Sequence, residues 1–193
     1  MHAIDRSHKE LDAKGADFAQ RLELMILKAR VWAESGNNLK GFSTIMHAVN
    51  FAYQARLLPL LWDSVGALCH ILNDIGEFGA ASKLLVNILP MVLECNDCER
   101  VGRIFATVAD AQMGLAGEAR ALYTKSEHYL SKALEYLGGA FDSFSQLEFR
   151  EGQCETLAKR ATIMLMMGDH QLANDHASKY LDVRRQLTIK TPA

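Results

Sequence analysis

Proline is scarce in this sequence. Three occur in 193 residues, at positions 59, 90 and 192, so little in the chain forbids helices. Alternating apolar and polar residues, the mark of a half-buried strand, are absent, and no sheet is expected. The longest apolar runs, such as Ile163 to Met167, fall far short of the roughly 18 residues that suggest a membrane span. Neither sign of charge prevails: 21 Lys and Arg against 23 Asp and Glu leave a net charge of −2. That balance supplies no field to draw in nucleic acid or an anionic membrane, and neither is expected as a partner. Met1-His2-Ala3-Ile4-Asp5-Arg6 has neither the apolar h-region of a secretory signal nor an Arg-rich transit character, so an intracellular location is the expectation.

Cysteine is also sparse. Cys69, Cys95, Cys98 and Cys154 are too few for a disulfide framework, and reduced thiols fit an intracellular chain. Cys95-x-x-Cys98 has the spacing of a zinc half-site or a redox pair. It lacks a second ligand pair for the first and a βαβ setting for the second, so two small residues near a helix junction are the expectation. The seven histidines, at 2, 8, 47, 70, 128, 170 and 176, form no metal-binding spacing; His170 and His176 lie six apart and point in different directions on one helix. No phosphate loop, dinucleotide fingerprint or nucleophile elbow occurs. No catalytic residue, metal site or cofactor is expected. A thiol and a histidine brought together by the fold is the remaining enzyme reading.

What is present is helical periodicity. Nearly half the residues (49%) are apolar and 23% are charged, as in a folded domain. Apolar residues recur at three and four in segment after segment. Eight helices are predicted. The first runs from about Asp17 to Ser35 and ends at Gly36; the second, carrying Phe42, Ile45, Met46, Val49 and Tyr53, is bounded by Pro59; the third runs from near Leu60 to Gly76. The fourth spans about 77 to 94 and should kink or break at Pro90. The fifth, capped by Asn96 or Asp97, is expected to end near Met113, with a loose stretch from Gly114 to Gly117. The sixth should lead to Gly138-Gly139, the seventh to run from about Phe144 to Met167, and the eighth to follow Gly168-Asp169.

Gly36, Gly76 and Gly168 share a register. Each is followed at +5 by a small residue (Gly41, Ala81, Ala173) and preceded at −7 by another (Ala29, Cys69, Ala161). Small residues at fixed places let two helices approach closely, which predicts a packing contact within each hairpin. The stretch Ile75-Gly76-Glu77-Phe78-Gly79-Ala80-Ala81-Ser82-Lys83-Leu84-Leu85 resembles the tetratricopeptide repeat. That resemblance implies an all-α, tetratricopeptide-like right-handed superhelix of about four helical hairpins, first helices lining a concave groove. The 40-residue separation of Gly36 and Gly76 keeps a HEAT-like solenoid as the alternative. The expected organisation is an N-terminal extension (1–16), a repeat domain (17–187, repeats at about 17–58, 60–94, 97–138 and 144–187) and a tail (188–193). The third repeat fits no single register, which points to an insertion or a trimmed loop near Gly117.

A narrower likeness follows from Leu72-x-x-Ile75-Gly76-Glu77-Phe78, Ile88-Leu89-Pro90-x-Val92-Leu93-Glu94 and Ala109-Asp110-Ala111-x-Met113-Gly114-Leu115-Ala116. It continues in Gln153-Cys154-Glu155-x-Leu157-Ala158-Lys159-Arg160-Ala161-Thr162-Ile163-Met164 and Gly168-Asp169-x-x-Leu172-Ala173-Asn174-Asp175. From about Leu60 to Leu181 the chain resembles the C-terminal repeats of the anaphase-promoting complex subunit 5 family. The resemblance implies a fragment of a longer, non-catalytic platform subunit in a nuclear, multi-subunit ubiquitin ligase that controls mitotic progression. Ubiquitin transfer there belongs to cullin and RING subunits. Other subunits of the complex are the implied partners, and the isolated fragment is expected to expose sticky surface or self-associate. The alternative is a free-standing tetratricopeptide adaptor binding peptide or chaperone partners. For either, first-helix residues Glu23, Arg30, Asp63, His70 and Asn73 are the partner-contact candidates, against ordinary solvated residues. A carboxylate clamp would need Lys or Arg beside Asp63, His70 and Asn73, and there is none. The run Ile163–Met167 reads as buried helix packing or as an adaptable surface.

Overall fold

Helices in this chain end by one device, and it sets the architecture. The structure, a computed structural model, describes residues 17–189, with side chains to 187. Among them are eight helices and no strand: α1 (Phe18–Glu34), α2 (Asn38–Gln54), α3 (Leu58–Asp74), α4 (Phe78–Glu94), α5 (Cys98–Ala121), α6 (Glu127–Gln146), α7 (Arg150–Met167) and α8 (His170–Ile189). The expected extension 1–16, with His2 and His8, lies outside the described residues, as do 190–193 of the expected tail.

Each of the seven turns holds one residue at positive φ. Gly36, Gly76 and Gly168 do so at φ 80°, 85° and 83°; Arg56, Asn96, Tyr123 and Glu148 adopt the same conformation at 51–56°. The left-handed step aims the following N–H groups back at the helix. Gly36 N–H donates to Ala33 O and Asn37 N–H to Trp32 O, both at 2.8 Å, and Gly76/Glu77 and Gly168/Asp169 repeat the pair. Carbonyls that the last helical turn leaves unpaired are thereby satisfied. Glycine marked three of these turns in the sequence. The other four impose a left-handed conformation on L residues, a cost of roughly 1–2 kcal/mol each that asparagine at 96 tolerates best, and nothing local advertises Arg56, Tyr123 or Glu148. The left-handed residues 36, 56, 76 and 96 are evenly spaced, so the first four helices, 17 residues each, follow one period.

Several expectations need correction. Pro59 opens α3, sitting in its first turn where no intrahelical N–H is required, rather than closing α2. Pro90 lies inside α4, which continues to Glu94 as one element, so of the two expected outcomes the break does not occur. Asp97, not Asn96, caps α5, its side chain accepting from Arg100 N–H at 3.0 Å. Then α5 runs through Gly114–Gly117 to Ala121, because Ala116 and Ala119 are buried on its packed side while Gly117 faces outward. The turn comes at 122–126. Ala116, fully buried, stands seven residues before Tyr123, as Ala29 and Cys69 stand before their glycines, but α6 starts two residues later than that register demands. The insertion is therefore in the turn after α5. Gly138 and Gly139 are helical, so α6 and the third hairpin extend to Gln146, and Phe144 belongs to the end of α6 rather than the start of α7.

The chain divides into two compact units between Leu85 and Val86. In the first, α1 packs against α2 and α3, and α3 is buried from Leu61 to Leu72 but for Asp63 and His70. At Gly41 a Cβ would stand 3.0 Å from Ala29 O and 3.2 Å from Ala33 N, so the paired small residues do mark a close approach of α1 and α2. In the second unit, Ala109, Ala116, Leu130, Ala133, Leu137 and Ile163 form one core cluster, and Ala106, Ala140 and Phe144 another. The Phe144 ring fills two notches: a Cβ at Gly102 of α5 or Gly152 of α7 would lie 2.6 Å from it. Phe149 meets the same ring edge-on, 5.4 Å between centroids.

Candidate interaction surface

Counted from the helix start, the first helix of every hairpin places polar, mostly outward side chains at the same two positions. The sixth residue of α1, α3, α5 and α7 is Glu23, Asp63, Arg103 and Glu155; the thirteenth is Arg30, His70, Asp110 and Thr162. Seven residues are close to two helical turns, so the two positions share one stripe. Of the candidates read from the sequence, Glu23 and Arg30 are exposed on α1, His70 is exposed on α3, and Asp63 and Asn73 are half-buried there. Because α1 and α3 are neighbours, the unit brings all five onto adjacent helices. None of Asp63, His70 and Asn73 is without a partner inside the fold.

The equivalent stripe of the second unit is tied up by charge. Lys159 of α7 donates to Asp110 of α5 at 2.8 Å and to Glu155 at 2.6 Å, and Arg103 pairs with Glu99 at 2.7 Å. Burial pulls the Lys159 ammonium down, but the Asp110 and Glu155 carboxylates outweigh it and hold the group above the ordinary lysine value. Lys159 is therefore a charged strut between two first helices. Sequence reasoning missed Arg103, Asp110, Glu155 and Lys159 as one set. The sixth-and-thirteenth register could have flagged Arg103, Asp110 and Glu155, but a seventh helix begun near Phe144 displaces Glu155 from it, and Lys159, tenth on α7, lies outside it.

The groups that could support nucleophilic chemistry differ in burial. Burial pushes the Cys69 thiol up to about 12, where the nucleophilic thiolate is scarce at neutral pH. The Cys154 thiol is also raised, by burial and by Glu151 against the opposing pull of Arg184. His176 is buried on α8 with an unpartnered Nδ1, and burial, then Arg160 and Lys179, lower its pKa; His170, at the start of the same helix, is exposed. Cys95 sits in the turn before α5, its Sγ donating to Met91 O, while Cys98 opens α5 and donates to Gln146 Oε1 at 3.3 Å. Among the described residues no three His, Cys, Asp or Glu could jointly hold a metal ion, and no helix is long and apolar enough to cross a membrane. The methionine-rich run divides: Ile163 and Met166 join the core, whereas Leu165 and Met167 face out.

Comparison with known proteins shows the fold. No protein-family model and no curated protein matches the sequence. Among solved structures, MamA (41-end) from Desulfovibrio magneticus RS-1 superposes with a TM-score of 0.60 at 12% identity, covering 96% of this chain and 95% of that one. A MamA RS-1 ArsTM double mutant gives 0.58 at 12% identity, with 96% and 95% covered. BtubC (BKLC) from P. vanneervenii gives 0.53 at 17% identity, with 100% and 92% covered. The all-α, tetratricopeptide-like helical-hairpin fold is thus shared over nearly the whole length.

Proposed function

We propose that this chain is a non-catalytic scaffold subunit of the anaphase-promoting complex, holding other subunits of that ubiquitin ligase through its helical hairpins in the nucleus of dividing cells. One observation carries the scaffold reading: within the first unit, outward side chains recur at the same positions on the two neighbouring first helices, an arrangement suited to holding a protein partner. The subunit 5 resemblance supports the particular complex. Its quoted motifs include core residues (Leu72, Ala109, Ile163) and also the Asp110, Glu155 and Lys159 strut. Glu23, Arg30, Asp63, His70 and Asn73 form the proposed contact stripe of the first unit.

Affinity purification of the full-length parent from mitotic cells tests this. Co-purification of the cullin and RING subunits is expected, and a Glu23→Ala/Arg30→Ala double variant should weaken it without unfolding the chain. Recovery with none of the ligase subunits would overturn the assignment. Tight binding to short acidic tails on a peptide array would replace it with the free-standing adaptor.

A further inference from the structure

The last hairpin departs from the other three at one pair of positions. Counted from the helix start, the eleventh residue of the first helix and the seventh of the second are Lys28 and Thr44, Leu68 and Leu84, Val108 and Ala133, then Arg160 and His176. Val108 and Ala133 are fully buried, Leu68 is buried and Leu84 is partly exposed, so two hairpins fill these positions with apolar residues alone. Packing there requires no charge. The first hairpin has one cation, Lys28, which is half-buried and has a partner inside the fold. In α7 and α8 both residues are basic and neither is satisfied: Arg160 Nε and His176 Nδ1 are buried without a hydrogen-bond partner. His176 itself is only 9% exposed. Among the described residues, the other half-buried lysines and arginines (Arg21, Lys28, Arg100, Arg150 and Lys159) all have partners. Arg160 has neither a hydrogen bond nor an ion pair. A buried polar group left unpaired costs stability that leucine or alanine in its place would avoid, so the pair calls for an acceptor from outside the chain.

We propose that Arg160 and His176 form an oxyanion site in the α7–α8 hairpin, and that the site takes a phosphoryl group presented by a protein partner. Arg160 Nε–H is a donor at every accessible pH, and His176 Nδ1 donates either as the Nδ1–H tautomer or as imidazolium. The charged groups that bear on His176 are Arg160 from α7, the helix against which α8 packs, and Lys179 and Asp175 from α8 itself. Two cations and one carboxylate leave one positive charge beside a neutral imidazole, and protonating the imidazole makes it two, the match for a dianion. A phosphoryl group also brings three acceptor oxygens, one each for Arg160, His176 and Lys179. Arg160 is half-buried and Lys179 exposed, so the site opens to solvent on one side, where a group carried on a side chain can enter. Burial and the two cations hold the His176 pKa below its ordinary value. A bound dianion opposes all three influences, so binding takes up a proton and tightens as pH falls towards that pKa. That the phosphoryl group arrives on a protein rests on the scaffold reading; the anion chemistry does not.

In the full chain, NMR titration of His176 with about 10 mM inorganic phosphate should raise its midpoint by about one pH unit, while sodium chloride at equal ionic strength should not. Phosphate should also raise the melting temperature. Arg160→Leu and His176→Ala, which install the residues found at these positions in α3 and α6, should keep the helical circular dichroism and lose that rise. Lys132→Ala, at an exposed lysine of α6, should retain it. A marked fall in the melting temperature of Arg160→Leu without phosphate would mean that the arginine is there for packing, and would overturn the site. So would a wild type indifferent to phosphate. An array of phosphoserine peptides, each beside twins carrying serine or aspartate, should yield binders that need the phosphate and that Arg160→Leu loses. A phosphate response with no such peptide would leave a site for the free ion, and aspartate twins that bind equally well would make the ligand a carboxylate; either would overturn the phosphorylated partner. None of these outcomes bears on which ligase subunits co-purify with the chain.

Discussion

The hairpin of α1 and α2 and the packing around α5, α6 and α7 use glycine to opposite ends. In the first, glycine lets backbone meet backbone: Gly41 lies against the Ala29 carbonyl and the Ala33 amide. In the second, glycine makes room for a ring: Phe144 lies between Gly102 and Gly152, and Phe105 lies over Gly139. Close approach holds two helices at one distance with few atoms. A ring in two notches couples three helices through one side chain, and makes that side chain correspondingly hard to replace.

Phe144→Ala should therefore be the most damaging change, emptying a site whose notches cannot collapse; a loss of about 3–5 kcal/mol is expected in chemical denaturation. A loss below that range would mean that the ring is not what couples the three helices. Next come Gly102→Ala and Gly152→Ala, each placing a methyl into the ring for roughly 1–3 kcal/mol. Gly41→Ala should cost less than either, since its tightest contact is 3.0 Å rather than 2.6 Å; the reverse order in melting temperatures would erase the distinction between the two mechanisms.

Polar linkage is a smaller contrast. Lys159→Met should cost up to about 1 kcal/mol, because the strut is partly solvated. Its folded pKa is raised, so the stabilisation is fully present below the unfolded lysine value of about 10.4 and lost as pH rises through the folded value. The gap between wild type and variant should hold constant from pH 7 to 9 and close above that. The smallest effect has the opposite sign. Gly117→Ala, in mid-helix with nothing within 4 Å of the added methyl, should stabilise by about 0.5–1 kcal/mol, whereas a turn glycine at that position would make the same change destabilising.

Much of this was legible from residue spacing. Gly36, Gly76 and Gly168 announced their turns because glycine adopts positive φ without penalty. Their −7 and +5 partners predicted the Gly41–Ala29 approach. The turns at Arg56, Tyr123 and Glu148 were not legible as such, since those residues carry no local preference for the conformation they adopt. The tolerated glycines misled: Gly114, Gly117, Gly138 and Gly139 look like punctuation, and all four lie inside helices. For the candidate surface, Glu23 and Arg30 were readable as exposed first-helix residues. The Asp110–Lys159 pair joins positions far apart in the chain, and no periodicity within one helix points to it.

Sequence by itself determined that the chain is all helix, where most helices begin, and that they pair as hairpins, because amphipathic period, caps and glycine turns are local properties expressed within about one turn of helix. Only tertiary structure decided which glycines end a helix and which receive a neighbouring ring. Those outcomes depend on what the adjacent helix presents. A residue's own neighbours in the chain carry no record of that.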